Sequence, residues 1–429
     1  MNVICVGYFD KHSRFFLDIR KWLKQKTTKK INFNCYSIHI SGFLYAFFRL
    51  QPNSIITFKA WLNAYLKRKY YKEIIETSDI YKGIKYSNFI DFHLKLNKGI
   101  SKRALKLQAL SYIDILDKVY DNKRPDYLIS LGDSRLCVEI AIAIAKHRNI
   151  QIYYLEQGPF NTTFFDEEGV NANLSIRNKP SNKIKAKSPN SQTDIVTEKY
   201  NRSPLYRGID ILIMKLFEKT RLYPPDLKFT DIITYRKNAG KTKSSLTKTT
   251  EYALFAMQLP LDVNLINHSP LYDSHFVMIK DIYENLPKGL KLVVREHPLY
   301  LRKYGKEFYN YLDSKNIEID NTSTLEVALK EAKVVIVNNS TVGLEAIKIY
   351  KSVVVLGDTF YDNEKICLKL KSKTNLSQIL KQALEQKINK QEIDAFFEQL
   401  YNSVMLKGSI TDKNLTASKT IANHLISKH

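Results

Sequence analysis

Val293-Val294-Arg295-Glu296-His297-Pro298 and, further along, Val334-Val335-Ile336-Val337-Asn338-Asn339-Ser340-Thr341-Val342-Gly343-Leu344-Glu345-Ala346 decide how this chain folds. Each is a run of β-branched residues that stops abruptly at polar ones. A buried parallel strand reads this way when its carboxyl end opens onto a ligand crevice. Asn339, Ser340 and Thr341 then lead into a helix, and such residues cap helix N-termini. A helix N-terminus offers free N–H groups to an anion. The pair predicts a pocket for a phosphate-bearing ligand, with His297 at one strand end and Ser340 and Thr341 at the other.

The same alternation extends outward in both directions. Strands are expected at Asn2–Tyr8, Ile31–Ser37, Tyr127–Leu131 and Ile152–Leu155, with helices at Arg14–Lys24, Lys59–Lys72, Arg103–Tyr120 and Leu136–His147. Past Tyr252 come strands Ala253–Gln258, Lys291–Arg295, Val334–Val337 and Val353–Leu356, separated by helices. Between them, Ile176–Thr250 holds 17 Lys and Arg against 6 Asp and Glu, and reads as a basic linker with a helical insert around Ile209–Arg221. The expected division is 1–176, an acceptor-side domain; 177–250, the linker; 251–385, a donor-nucleotide domain; and 386–429, C-terminal helices. The expected class is α/β, with two Rossmann-like parallel-sheet domains facing a central cleft, the plan called GT-B in glycosyltransferases.

Composition narrows the function. With 429 residues and 44% hydrophobic, the chain has enough length and apolar content for two packed domains. The four cysteines are scattered without a CxxC pair, so neither a zinc site nor a disulfide framework is expected. The N-terminus reads as a strand rather than a signal peptide, and no apolar run approaches a membrane span. A cytoplasmic, soluble or membrane-peripheral protein is expected. The net charge of +24 points to a polyanionic partner, although an AT-rich genome also enriches lysine. No nucleic-acid-binding pattern is present, so nucleic acid is not expected as the partner.

An ordered set of motifs carries a resemblance. It comprises Leu131-Gly132-Asp133-Ser134-Arg135, Leu155-Glu156-Gln157-Gly158, Glu168-Gly169-Val170-Asn171-Ala172, Gln258-Leu259-Pro260-Leu261-Asp262 and His268-Ser269-Pro270. The two opening stretches and Val354-Val355-Leu356-Gly357-Asp358 with Tyr361 complete it. The chain resembles the capsule polysaccharide biosynthesis family, most closely its KpsS-type (KpsS/KpsC/LipB) β-Kdo glycosyltransferases. The resemblance implies a retaining transferase that moves Kdo from CMP-Kdo to a lysophosphatidylglycerol-type lipid or a glycolipid. It also implies a peripheral place on the cytoplasmic face of the inner membrane, within a capsule assembly or export complex. Two positions depart from the family pattern: Gln157 stands where an acidic residue is usual, and Pro159-Phe160-Asn161-Thr162 replaces an aromatic-Leu-Arg-Pro.

Within that reading, His297 binds the donor phosphate or protonates the leaving CMP, and Pro298 turns the chain after it. Asn339, Ser340 and Thr341 hold phosphate or simply cap the helix, and Glu345 accepts from ribose hydroxyls or is solvated. Gln258, Asp262, His268 and Ser269 position the donor or stabilise their loop. Glu156 is the first choice for a carboxylate nucleophile and Asp166 the second. Asp133, Arg135 and Gln157 line the acceptor side, while Arg295 and Arg135 recognise a carboxylate or phosphate or form internal ion pairs. No Asp-x-Asp sits at a strand end, so neither metal nor cofactor is expected beyond the CMP-sugar. Two alternatives stay open: transfer of another nucleotide sugar, and a non-catalytic nucleotide-binding scaffold. The helix over Lys59–Lys72 puts Trp61, Leu62, Tyr65 and Leu66 on one face, suited to the core or to an anionic membrane.

Overall fold

The computed structural model describes residues 1–97, 99–179, 197–217 and 251–429. These form two compact units. The first takes the described residues of 1–170, residues 197–217 and residues 404–429; the second takes 171–179 and 251–403. The bulk of the expected linker, 180–196 and 218–250, lies outside the described residues.

In the first unit, β1 (Asn2–Gly7), β2 (Asn32–Ser37), β3 (Asn53–Ile55), β6 (Tyr127–Leu131), β7 (Gln151–Gln157), β8 (Thr162–Asp166) and β15 (Met405–Lys407) make one sheet. Its order is β15-β8-β7-β6-β1-β2-β3. A separate hairpin pairs β4 (Ile80–Tyr81) with β5 (Ile84–Lys85). The five strands from β7 to β3 are parallel. Along β1, Ile4 and Val6 enter one core while Val3 and Cys5 enter the other, because side chains alternate across a strand. Both faces are therefore covered, as a Rossmann-like sheet requires.

Two features depart from the expectation. β8 and β15 form an antiparallel edge. β7 and β8 are joined by Gly158–Asn161 alone, with Phe160 and Asn161 at φ 54° and 57°. So short a link makes a hairpin, whereas a parallel crossover needs about a dozen residues. The C-terminal segment is also split. Helix Lys390–Ser403 stays with the second unit, while β15 and helix Thr416–Lys428 return to the first. That last helix packs Ile421, Ala422 and Leu425 against Phe15, Ile19 and Leu23 of helix Asp10–Lys26.

In the second unit, β9 (Tyr252–Ala256), β10 (Lys291–Arg295), β11 (Glu318–Ile319), β12 (Val334–Val337), β13 (Ser352–Val355) and β14 (Leu368–Lys369) make an all-parallel sheet. Its order is β11-β10-β9-β12-β13-β14. The chain steps from β9 to β10 on one side and returns to β12 on the other. The gap between β9 and β12 is thus a topological switch point, where open α/β sheets bind ligands outside their carboxyl ends. With two such units, the chain has the two-Rossmann composition of the GT-B class.

Candidate functional site

Register brings the second unit's motifs together. Arg295 of β10 pairs with Ala256 of β9, and Ala256 pairs with Val337 of β12. The residues just beyond these three strand ends, Gln258, His297 and Asn339 to Thr341, therefore surround one crevice mouth.

Gln258 is 5% exposed, and neither its amide oxygen nor its amide nitrogen has a hydrogen-bond partner within the protein. A buried amide normally finds one. His297 is half-buried, and its Nδ1 accepts from the Leu299 amide at 3.2 Å. The proton of the neutral ring is then on Nε2, free of that turn and able to donate. Burial lowers the His297 pKa, and the Asp262 carboxylate partly opposes this. His297 is accordingly a neutral donor near pH 7. Ser340 is the N-cap of helix Thr341–Lys348, its Oγ accepting from the Val342 amide at 3.3 Å, and Thr341 is exposed at the first helical position. Gly343 lets this helix sit close: a Cβ there would meet Tyr361 Oη at 2.5 Å and Val337 Cγ2 at 2.8 Å. Glu345 lies one turn on, partly buried.

Other motif residues are committed to the fold. Arg295 donates to the carbonyls of Asp320 at 3.1 Å and Ser323 at 2.8 Å, and its guanidinium lies 3.6 Å from the Asp320 carboxylate. Its fork is thereby turned into the loop after β11. Glu296 is buried and accepts from Tyr309, from Asn321 Nδ2 at 2.6 Å and from the Arg302 amide at 3.1 Å. Asn339 donates to the carbonyls of Asn264 and His268, each at 2.8 Å, tying the end of β12 to helix Val263–Asn267. Ser269 Oγ lies 2.5 Å from the Tyr272 carbonyl and 3.1 Å from Asn338 Oδ1. Pro298 follows His297 exposed at the turn.

Three supporting residues escaped the sequence reading. Tyr304 accepts from the His297 amide at 3.2 Å and donates to the Gln258 carbonyl at 3.1 Å, so it spans the ends of β10 and β9. His275 is buried, and its Nε2 accepts from the Gln258 amide at 3.3 Å. Burial, and then His297, lower its pKa to about 3, so it is neutral. Arg177 pairs with Asp362 at 2.8 Å and Asp358 at 3.1 Å, beside Lys369. None of these has local sequence context that signals its partner.

The first unit has its own switch point, between β1 and β6. Glu156, at the end of β7, is partly buried and its Oε1 accepts from the Gln157 amide at 2.9 Å. Gly132, at φ 73°, lies close to it: a Cβ there would be 3.9 Å from Glu156 Oε2 and 3.7 Å from Tyr8 Oη. Burial lowers the Lys11 pKa, and the Glu156 carboxylate partly opposes this. Gln157 is exposed. Asp133 accepts from Ser134 Oγ at 2.6 Å and from the Val170 amide at 3.4 Å. Arg135 begins helix Leu136–His147, its guanidinium 5.3 Å over the Phe92 ring. Glu139, one turn along, was not singled out from sequence. Burial, then Asp133 and Asp91, raise its pKa to about 8, so it carries a proton at neutral pH.

Asp166 is not beside Glu156. It pairs with Tyr154, two residues back along β7, because β8 runs antiparallel. That is a displacement of about 7 Å. Asp166 is buried and accepts from the Glu168 amide at 2.6 Å and the Gly169 amide at 3.1 Å, shaping the turn. Among the described residues, no cluster of His, Cys, Asp and Glu could hold a metal ion, and no helix is long and apolar enough to cross a membrane.

Known proteins share parts of this chain. FixF of Sinorhizobium fredii is 26% identical over 166 residues, 38% of this chain and 40% of FixF, so the chain matches less than half of that relative's length. Among solved structures, the KpsC β-Kdo 2,7 transferase of Thermosulfurimonas dismutans aligns with 73% of this chain and 89% of its own, at 15% identity and a TM-score of 0.39. The UDP-GlcNAc 2-epimerase of Methanocaldococcus jannaschii aligns over 100% of both chains at 13% identity and a TM-score of 0.35. Transfer and epimerisation are different reactions, so likenesses at this level assign neither. The sequence pattern of the capsule polysaccharide biosynthesis proteins matches residues 126–410, a span that holds both the Glu156 strand end and the whole second-unit crevice. The chain belongs to the capsule polysaccharide biosynthesis protein family.

Proposed function

We propose that the chain is a retaining glycosyltransferase that moves β-Kdo from CMP-Kdo to a lysophosphatidylglycerol-type lipid or a glycolipid. The observation that carries the reading is the convergence of Gln258, His297, Ser340 and Thr341 on one switch point, within a chain of this family. A nucleotide sugar needs what these groups offer. The His297 Nε2–H and the helix amides after Ser340 take the phosphate, and the buried Gln258 amide takes a polar edge of the ligand.

Glu156 is the proposed nucleophile. Its carboxylate attacks the anomeric carbon as the bond to CMP breaks, and His297 stabilises the departing phosphate. The acceptor hydroxyl then attacks the same carbon, the bond to Glu156 breaks and returns its carboxylate, the hydroxyl proton passes to solvent water, and the original anomeric configuration is restored. No metal or cofactor enters this scheme. The proposal includes a peripheral position on the cytoplasmic face of the inner membrane, in contact with a capsule assembly or export complex. Gln157, which cannot ionise, favours the scaffold alternative, and transfer of another nucleotide sugar is the other one.

One assay separates the three. Purified protein is incubated with CMP-Kdo and lysophosphatidylglycerol in the presence of EDTA, and the acceptor's mass is measured. A gain of one Kdo supports the reading. Gain from a different nucleotide sugar removes the Kdo assignment. No transfer from any donor, with thermal stabilisation by CMP, leaves the scaffold.

A further inference from the structure

Helix Ile56–Leu66 is packed inversely to an ordinary surface helix. It buries Ile56, Thr57, Ala60 and Ala64. Beyond Ile56, four of its large side chains face outward: Phe58 and Leu62 are each 42% exposed, Tyr65 62% and Leu66 72%. Large residues normally face the core and drive a helix's packing. Two neighbours repeat the pattern. Helix Ile40–Phe47 ends with Phe47 and Phe48 at 55% and 66% exposure, and Leu50 follows at 92%. Leu50 also holds a left-handed φ of 51°, a conformation uncommon for a side chain of this kind. Helix Pro204–Phe217 packs on helix Ile40–Phe47 and leaves Leu205 82% exposed and Leu216 63%. Ring contacts join the three, from Tyr45 to Tyr206 at 6.0 Å and from Trp61 to Phe217 at 5.3 Å.

Contiguous exposed apolar surface of this kind marks an interaction face. Its charge selects the partner. From Ile40 to Lys72 the sequence has no Asp or Glu, but it has Arg49, Lys59, Lys67, Arg68, Lys69 and Lys72. Lys67 pairs with Asp114, while Lys59, Arg68 and Lys69 are exposed. The one carboxylate of helix Pro204–Phe217, Asp210, is buried against Arg202 and the Ser41 amide. A second copy would set cations against cations. An anionic bilayer meets both requirements, with headgroups for the cations and an acyl boundary for the leucines and aromatics.

We propose that this three-helix face docks the protein on an anionic phospholipid surface. The inference deepens the proposed function and rests on it only for what the membrane carries, a lipid acceptor. Position supports it: β2 and β3 run into helices Ile40–Phe47 and Ile56–Leu66 at their carboxyl ends, the end of the parallel sheet at which Glu156 also lies, on β7, three strands along from β2.

The test is flotation of the full chain with phosphatidylglycerol vesicles and with phosphatidylcholine vesicles, without sugar donor. The expected result is binding to phosphatidylglycerol that salt releases, and much weaker binding to phosphatidylcholine. The combined variant Leu50→Ser, Leu62→Ser and Leu66→Ser alters exposed side chains only and should lose at least about tenfold in binding. Lys59→Gln, Arg68→Gln and Lys69→Gln should each cost about fivefold, the factor for one cation near an anionic surface. Circular dichroism and melting should match the wild type. Failure to float with phosphatidylglycerol, or flotation of the variants like the wild type, overturns the proposal. So does a wild-type dimer that the leucine variant converts to monomer, which would make the face a contact between copies. Transfer to detergent-dispersed acceptor is read separately. Its absence with vesicle binding intact defeats the transferase reading alone, and intact transfer without phosphatidylglycerol binding, or with variants that float like the wild type, defeats the docking alone.

Discussion

Gln258→Met gives the sharpest test of the crevice. The glutamine amide is buried at the end of β9, with both polar atoms lacking a partner in the protein. A buried polar group in that state costs about 1–3 kcal/mol. Methionine has a similar shape and no such cost, so the variant should be as stable as the wild type or more stable by about 1 kcal/mol. In a domain of this size that is a rise of about 2–4 °C in Tm. The nucleotide should show the opposite change. A ligand group that had paired with the amide is left unsatisfied, and CMP affinity should fall by about 5- to 150-fold, the equivalent of the same 1–3 kcal/mol. Differential scanning calorimetry reads the first quantity and isothermal titration with CMP the second. A variant that melts several degrees lower would show that Gln258 holds the fold. Unchanged CMP affinity would show that the amide never meets the ligand. Either result refutes the reasoning.

The remaining predictions divide the motifs by role. Glu156→Gln should abolish detectable transfer while CMP affinity stays within about twofold, and full activity would remove Glu156 as nucleophile. His297→Ala should lower turnover by about 10²-fold or more with an unchanged melt, measured by mass gain of the acceptor. Arg295→Met should instead cost about 1–3 kcal/mol in urea denaturation, since it strands the buried Asp320 carboxylate and two carbonyls. Loss of CMP binding without loss of stability there would reverse the assignment. Stability should also fall on acidification. The unfolded chain protonates His275 near 6.5, whereas in the fold burial, and then His297, hold its pKa to about 3. The contribution is fully present above 6.5 and is lost as pH falls from 6.5 toward 3, at about 1.4 kcal/mol per pH unit. Denaturation at pH 7 and pH 5 measures it, and a His275→Gln variant should flatten that dependence.

The order of strands and helices was legible because each is written in its own neighbours. Four β-branched residues from Val334 to Val337 make a buried strand wherever they stand, and Ser340 caps whatever helix follows it. The hairpin at Gly158–Asn161 was missed because β8 pairs on one side with β15, from the far end of the chain. The same limit governs the site. Arg295, Glu296 and His297 are consecutive polar residues at one strand end, and in sequence Arg295 and His297 look equally suited to an anion. Asp320 and Ser323 capture the first, Tyr309 and Asn321 the second, and only the third keeps a ring nitrogen for a ligand. Asp166 was credible as a second acid until the reversal of β8 moved it two residues down β7 from Glu156.

The sequence by itself determined the alternation of elements, the carboxyl-end position of the crevice motifs and membership of the family. Those depend on short-range pattern and residue order. The tertiary structure alone decided which polar groups are spent on the fold, and which face of helix Ile56–Leu66 turns outward. Periodicity shows that a helix has an apolar face, but the small residues Ala60 and Ala64 won the interior, and only packed neighbours can settle that contest.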